Sequence, residues 1–189
     1  MVAAARRRIT PTERRELKAT ETDPAVVLAA GVRLLEARPR SVADVRRRLR
    51  GSGYQARLVE DAVERLLELG FLDDEAFARS WVESRDRARP RGVRALRSEL
   101  MAHGVDRATI DAVLADREPL DGSGTADGVA AEALLARHAR SLARVADPRV
   151  RRQRAYALLA RNGFDPDVAS RVARTVGNEP TGAESNDGP

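Results

Sequence analysis

The chain has 189 residues and a mass of 20.6 kDa, room for one ordinary domain or a few small helical modules. Its 34 basic and 29 acidic side chains leave a formal charge of +5, and cysteine is absent, which excludes disulfide scaffolds, cysteine-ligated zinc, iron–sulfur clusters and thiol nucleophiles. Apolar residues make up 42%, enough for a core, whereas aromatics at 3% are too few for a base-stacking platform.

Lys18 is the only lysine, so the basicity is that of arginine. A coding bias toward arginine is one explanation, but the chemistry holds either way: guanidinium stays charged and forms bidentate pairs with carboxylates and phosphates. Nucleic acid, an acidic protein surface and an anionic membrane are all admissible partners. No run approaches the roughly 20 apolar residues of a membrane span. The basic start, residues 1–8, is not followed by the apolar stretch of a secretory signal, so a cytoplasmic protein without membrane attachment is expected.

In chain order, residues 1–24 read as a disordered basic tail, with Arg6, Arg7, Arg8 and Pro11 in a polar setting. Helices follow over 25–37 and 41–50, the second opened by Ser41 as N-cap with Asp44 three residues on. Over 55–69, Val59, Ala62, Val63, Leu66 and Leu67 recur at three- and four-residue spacing. Asp73 opens a helix over 73–87, where Phe77 and Trp81 share a face and are expected to form a buried core pair. Further helices read at 91–103 and 106–116. The Gly- and Asp-rich EPLDGSGTADG then marks a linker over 119–128, and helices read at 127–144, 148–162 and 165–175. Residues 177–189 read as a disordered tail. Nothing carries the alternation of a strand, so the class is all-α.

Nine helices in three groups suggest a repeat, and the glycines reveal it. Gly53, Gly104 and Gly163 are each preceded at four residues by Leu49, Leu100 and Leu159, and followed at once by Tyr54, Val105 and Phe164. Val59, Ile110 and Ala169 stand six residues after them; Val63, Leu114 and Ala173 stand ten after. A leucine one turn before a helix-ending glycine, with an apolar residue beyond, is the pattern of a left-handed C-cap. Helix, glycine turn, helix is therefore written three times. The modules are expected at 25–70, 71–118 and 129–176.

Catalytic chemistry finds no support. His103 precedes a glycine turn, where an imidazole complements a helix C-terminus, and His138 sits among arginines. No metal site, cofactor or enzymatic activity is expected. Asp73, Asp74 and Glu75, at a helix start, read as cap and dipole complement. The arginines are more telling. Residues 38–50 hold six, 85–97 six and 144–154 five, each cluster preceding or occupying the middle helix of its module. For one cluster a solvated face suffices; recurrence in register points to a basic stripe built from Arg46, Arg47, Arg50, Arg94, Arg97, Arg151, Arg152 and Arg154. Such a stripe suits a long, anionic, repetitive partner.

Residues 70–85, GFLDDEAFARSWVESR, carry a more specific signal, together with RPRSVADVRRRL before them and RGVRALRSEL…HGV after. Arg38 and Ser41; Gly70, Phe71, Leu72, Asp73, Asp74, Phe77, Ala78, Ser84 and Arg85; and Gly92, Leu96, Glu99, Leu100, Gly104 and Val105 follow the motif of the RecX family of bacterial regulators. LLARNGF at 158–164 continues it. The resemblance spans about residues 26–176; the tails and the 121–128 insertion fall outside it. It implies tandem three-helix, helix-turn-helix-like modules in an elongated, curved array. It also implies a monomeric cytoplasmic regulator of recombination, DNA repair and the SOS response. Such a protein lies along the RecA filament on DNA and inhibits its ATPase, strand-exchange and coprotease activities. Gly70, Phe71, Leu72, Asp73, Asp74, Phe77, Trp81 and Arg85 are then largely structural. The rival reading is direct, non-specific DNA binding through the arginine stripe. The third helices begin QARLVED, DRATIDA and DPDVASR, mixed or acidic, so base-specific readout is not expected.

Overall fold

The computed structural model describes residues 10–119 and 124–176, and among these there are ten helices and no strand. They are α1 (Pro11–Ala19), α2 (Pro24–Ala37), α3 (Val42–Gly51), α4 (Ala56–Glu68), α5 (Asp74–Ala88), α6 (Val93–Ala102), α7 (Arg107–Ala115), α8 (Ala126–Ala143), α9 (Pro148–Arg161) and α10 (Pro166–Thr175). The nine expected helices are all present, with ends within two residues of those read from periodicity. The expected tail over 177–189 lies outside the described residues, as do residues 1–9.

Helix α1 departs from the expectation of a disordered start. Thr10 caps it, Pro11 stands at its first turn, and Thr10 and Glu13 form a reciprocal capping box. None of its residues is buried, so it has no apolar period to read. Tertiary contacts hold it: Gln55 Nε2 donates to the carbonyls of Ala19 and Glu21, and Lys18 Nζ lies 4.9 Å over the Tyr54 ring.

The chain divides into two compact units, residues up to Arg79 with Leu100–Ile110, and Ser80–Glu99 with residues from Asp111 on. In the first unit α2, α3 and α4 enclose a core of Val27, Val45, Leu49, Val59, Val63 and Leu66. In the second, α8, α9 and α10 enclose Ala131, Leu134, Leu135, Leu159, Phe164 and Val172. Phe77, Ala78, Val82, Leu96, Leu100, Val105, Ile110 and Val113 are buried in the middle module, α5–α7.

Gly53, Gly104 and Gly163 have φ of 107°, 79° and 81°, the left-handed conformation their alignment requires. Two of these turns also make joints between modules. Within the first unit, the Gly104 turn seats on the start of α3: Ser41 Oγ donates to the His103 carbonyl at 2.5 Å, and a Cβ on Gly104 would collide with Ala43. Within the second, the Gly163 turn seats on the start of α6: Gly92 N donates to the Asn162 carbonyl at 3.0 Å, and a Cβ on Gly163 would come within 2.5 Å of Ala95. Each joint adds the same staple. Asp74, at the start of α5, accepts from Val42 N at 2.9 Å; Asp127, at the start of α8, accepts from Val93 N at 3.2 Å. A carboxylate of the following module thus satisfies the orphan N–H of the preceding middle helix. The Gly53 turn has no preceding module, and α1 takes that place, with the Arg15 carbonyl against the glycine.

Trp81 is not the core partner expected for Phe77. Phe77 is buried and meets the His103 ring edge-on at 5.4 Å, whereas Trp81 is only half-buried. Its indole N–H donates to Glu99 Oε2 at 2.8 Å, and the Arg85 guanidinium covers the ring at 4.4 Å. A ring with a polar edge settles where that edge finds an acceptor.

Candidate partner-binding surface

Most of the eight arginines expected to form a stripe meet a partner inside the protein. In the first unit Arg46 Nε lies 2.9 Å and Arg50 Nη2 2.6 Å from the carboxylate of Glu60, one turn into α4. Arg47 pairs with Asp44, a buried carboxylate that also faces His103 Nδ1 at 3.1 Å. In the second unit Arg94 reaches Asp165 at 3.1 Å and Arg97 pairs with Asp111. Arg151 turns back to donate to the Val145 and Ala146 carbonyls. Arg152 and Arg154 are exposed. Arg47, Arg50 and Arg94 keep more than half of their side-chain surface in solvent despite their pairs.

Not every arginine of these clusters reaches the surface. Arg40, from the 38–50 cluster, is buried, and its Nε donates to the Leu34 carbonyl at 2.9 Å. Arg117, which lies outside the clusters, has a side chain only 3% exposed that bridges Asp86 and Asp127 at 2.5 and 2.6 Å. Arg91 links Glu99, at 3.6 Å, to Asn162 Oδ1, at 2.8 Å. The partner acids Glu60 and Asp111 look like solvated helix residues in the chain, and Asp165 reads as the N-cap of α10, so none of the three signals a distant arginine.

The motif over 70–85 divides into two parts. Gly70 takes φ 71°, Leu72 is buried, and Asp73 Oδ1 accepts from the N–H groups of Glu75 and Ala76, capping α5. Phe71, by contrast, is 55% exposed, beside exposed Leu67 and Leu69 at the end of α4. Burial pushes the carboxyls of Asp74 and Asp127 above the usual range, with the Val42 N–H and Arg117 respectively opposing it. Among the described residues no group of His, Asp and Glu is arranged to hold a metal ion, and no helix is long and apolar enough to cross a membrane.

On the third module, α9 and α10 frame an open groove of about 360 Å³, lined by Arg149, Arg152, Gln153, Tyr156, Ser170 and Arg174. Of these, only Arg152 belongs to the expected stripe.

Comparison with known proteins places each module. Residues 28–66 match the family domain described as RecX, first three-helix domain; residues 73–114 match the second, and 129–173 the third. The chain is 34% identical over 143 residues to the Regulatory protein RecX of Thermobifida fusca, covering 76% of this chain and 74% of that one. It is 36% identical over 143 residues to the Regulatory protein RecX of Streptomyces coelicolor, covering 76% and 73%. The fold is similar to a crystal structure of regulatory protein RecX, with a TM-score of 0.67 at 21% identity over 82% of this chain and 79% of that one. It is equally similar to RecX from Lactobacillus salivarius, with a TM-score of 0.67 at 16% identity over 81% and 96%.

Proposed function

The chain belongs to the RecX family of regulatory proteins, and on that premise we propose that it binds the RecA recombinase filament on DNA and inhibits its ATPase, strand-exchange and coprotease activities. It acts in the cytoplasm as a monomer, with no cofactor and no enzymatic activity of its own. The observation that supports this most is the match of three family domains, in order, along one chain. A repeated module suits a repetitive partner, and several weak contacts along a filament sum to avidity.

Arginines of α3, α6 and α9 face acidic side chains of the recombinase and phosphates of the DNA. Their internal ion pairs do not withdraw them from that role. An exposed pair contributes about 0–1 kcal/mol, so a guanidinium exchanges one carboxylate for another, or for a phosphate, at small cost. Inhibition then requires that the bound form of the filament be the less active one, since a ligand shifts an equilibrium only by its differential affinity.

The test is recombinase ATPase on single-stranded DNA, titrated with the wild-type chain and with a variant carrying Arg47→Gln, Arg50→Gln, Arg94→Gln and Arg97→Gln. The wild type inhibits, and the variant, equally well folded, needs a several-fold higher concentration. Equal inhibition by both would assign these arginines to a solvated face. Direct, non-specific DNA binding is the second reading, favoured by the cationic groove of the third module. A gel shift with and without recombinase and ATP separates the two.

A further inference from the structure

The shared register of the modules exposes one position where the third departs from the others. Seven residues before and after the turn glycine stand Arg46 and Glu60 in the first module, Arg97 and Asp111 in the second, and Tyr156 and Ser170 in the third. In the first two, the residues form an ion pair that ties the middle helix to the third helix. In the third module both charges are gone from that position. Eleven residues after the glycine, where the first module has Glu64 and the second Ala115, stands Arg174. The two acids that the first module carries at these positions are thus replaced by a hydroxyl and a cation.

The resulting groove holds three guanidiniums, Arg149, Arg152 and Arg174, none of them ion-paired with another described residue. On α9 the lining residues Arg149, Arg152, Gln153 and Tyr156 fall at the three- and four-residue spacing of one helix face. That face borders the core positions Ala155 and Leu159, and the buried Ala173 of α10 completes the lining. Tyr156 is 37% exposed, so part of its ring meets solvent beside the cations. Spaced guanidiniums, neutral donors in Gln153 and Ser170, and an accessible aromatic face correspond to the elements that hold an unpaired strand: charge along the backbone and a ring against a base. An acidic peptide would use the charges and leave the ring without a role. A duplex would keep its bases stacked and out of reach.

We propose that the α9–α10 groove of the third module is a binding site for single-stranded nucleic acid, with phosphates on Arg149, Arg152 and Arg174 and a base on Tyr156. The inference rests on the DNA-contacting part of the proposed function and gives it a location. The experiment uses the full chain without recombinase, so its outcome is independent of the filament assay. Fluorescence anisotropy follows a labelled oligothymidylate about twenty nucleotides long, enough to exceed a single-module site. Far-ultraviolet dichroism verifies the fold of each variant.

The wild type binds, with affinity falling steeply between about 50 and 200 mM salt. Arg152→Glu with Arg174→Glu weakens binding at least tenfold and flattens the salt dependence. Tyr156→Ala weakens it about fivefold or more, the loss expected of one stacked base, while Tyr156→Phe retains it. Arg57→Gln, at an exposed position on α4 outside the stripe and the groove, leaves it unchanged. Equal affinity of the groove variants and the wild type overturns the site but leaves direct DNA binding standing. No binding by the wild type overturns both. Displacement of the oligonucleotide by polyglutamate at matched charge, with Tyr156→Ala unaffected, overturns the nucleic-acid assignment and makes the groove a dock for an acidic protein segment.

Discussion

Asp74 shows how one side chain serves both its own module and the preceding one. Its carboxylate accepts from Val42 N, and burial is the leading cause that holds its proton more tightly than usual, with Asp106 and Asp73 adding to it. The folded state therefore binds the proton better than the unfolded chain, whose carboxyl titrates near pH 3.9. Stability falls as pH rises from that value through the raised folded pKa, and the full cost is present at pH 7. Asp74→Asn keeps an acceptor for Val42 and removes the charge, so it should raise the melting temperature at pH 7. The gain should close as pH is lowered toward 4. A constant gain across that range would contradict the assignment. Phe77 makes the opposite kind of contribution. Buried against His103, it should cost about 3–5 kcal/mol when truncated to alanine, the usual range for a core aromatic, measured by urea unfolding.

At the scale of elements, the glycine turns separate a conformational demand from a packing demand. Gly70 and Gly163 both have positive φ, but a Cβ at Gly70 would meet open space, whereas one at Gly163 would strike the backbone and side chain of Ala95. Gly70→Ala should therefore cost only the backbone term, about 1 kcal/mol. Gly163→Ala should cost clearly more, because it also pushes the turn off the start of α6 and threatens the Gly92–Asn162 hydrogen bond. Equal losses in thermal unfolding would show that the turn is not seated as described. The same joint explains why α6 begins without a side-chain cap of its own: Asp127 supplies the acceptor from the next module.

Across the second unit as a whole, Arg117 is the hub. It bridges Asp86 and Asp127, donates to the Arg91 carbonyl, and is itself almost wholly enclosed. Removing one partner of a buried charge network leaves the others uncompensated, at about 3–5 kcal/mol. Arg117→Met should destabilise by that order at pH 7, and less in acid, where Asp127 can take up a proton. A loss below about 1 kcal/mol, the value of an exposed pair, would mean that the network is hydrated and peripheral.

The helices, the three glycine turns and the module order are legible along the chain, because each is written in interactions that span a few residues. Three- and four-residue apolar spacing, an N-cap such as Ser41, and a leucine four residues before a glycine that needs positive φ are all local. The motif around Gly70, Asp73 and Arg85 was visible for the same reason. Tertiary structure alone decided which charges are engaged and which are available. Arg94 finds Asp165 71 residues away, and Arg46 finds Glu60 14 away across a turn. A pair of this kind contributes too little to impose a pattern on the chain, yet it determines whether a guanidinium faces a carboxylate or open solvent. Trp81 and α1 were decided in the same way. The indole edge went to Glu99 rather than into the core, and a helix with no buried residue is held by Gln55 and Tyr54. Beside the Tyr156 groove the third module lacks, at one register position, the ion pair that the other two modules carry.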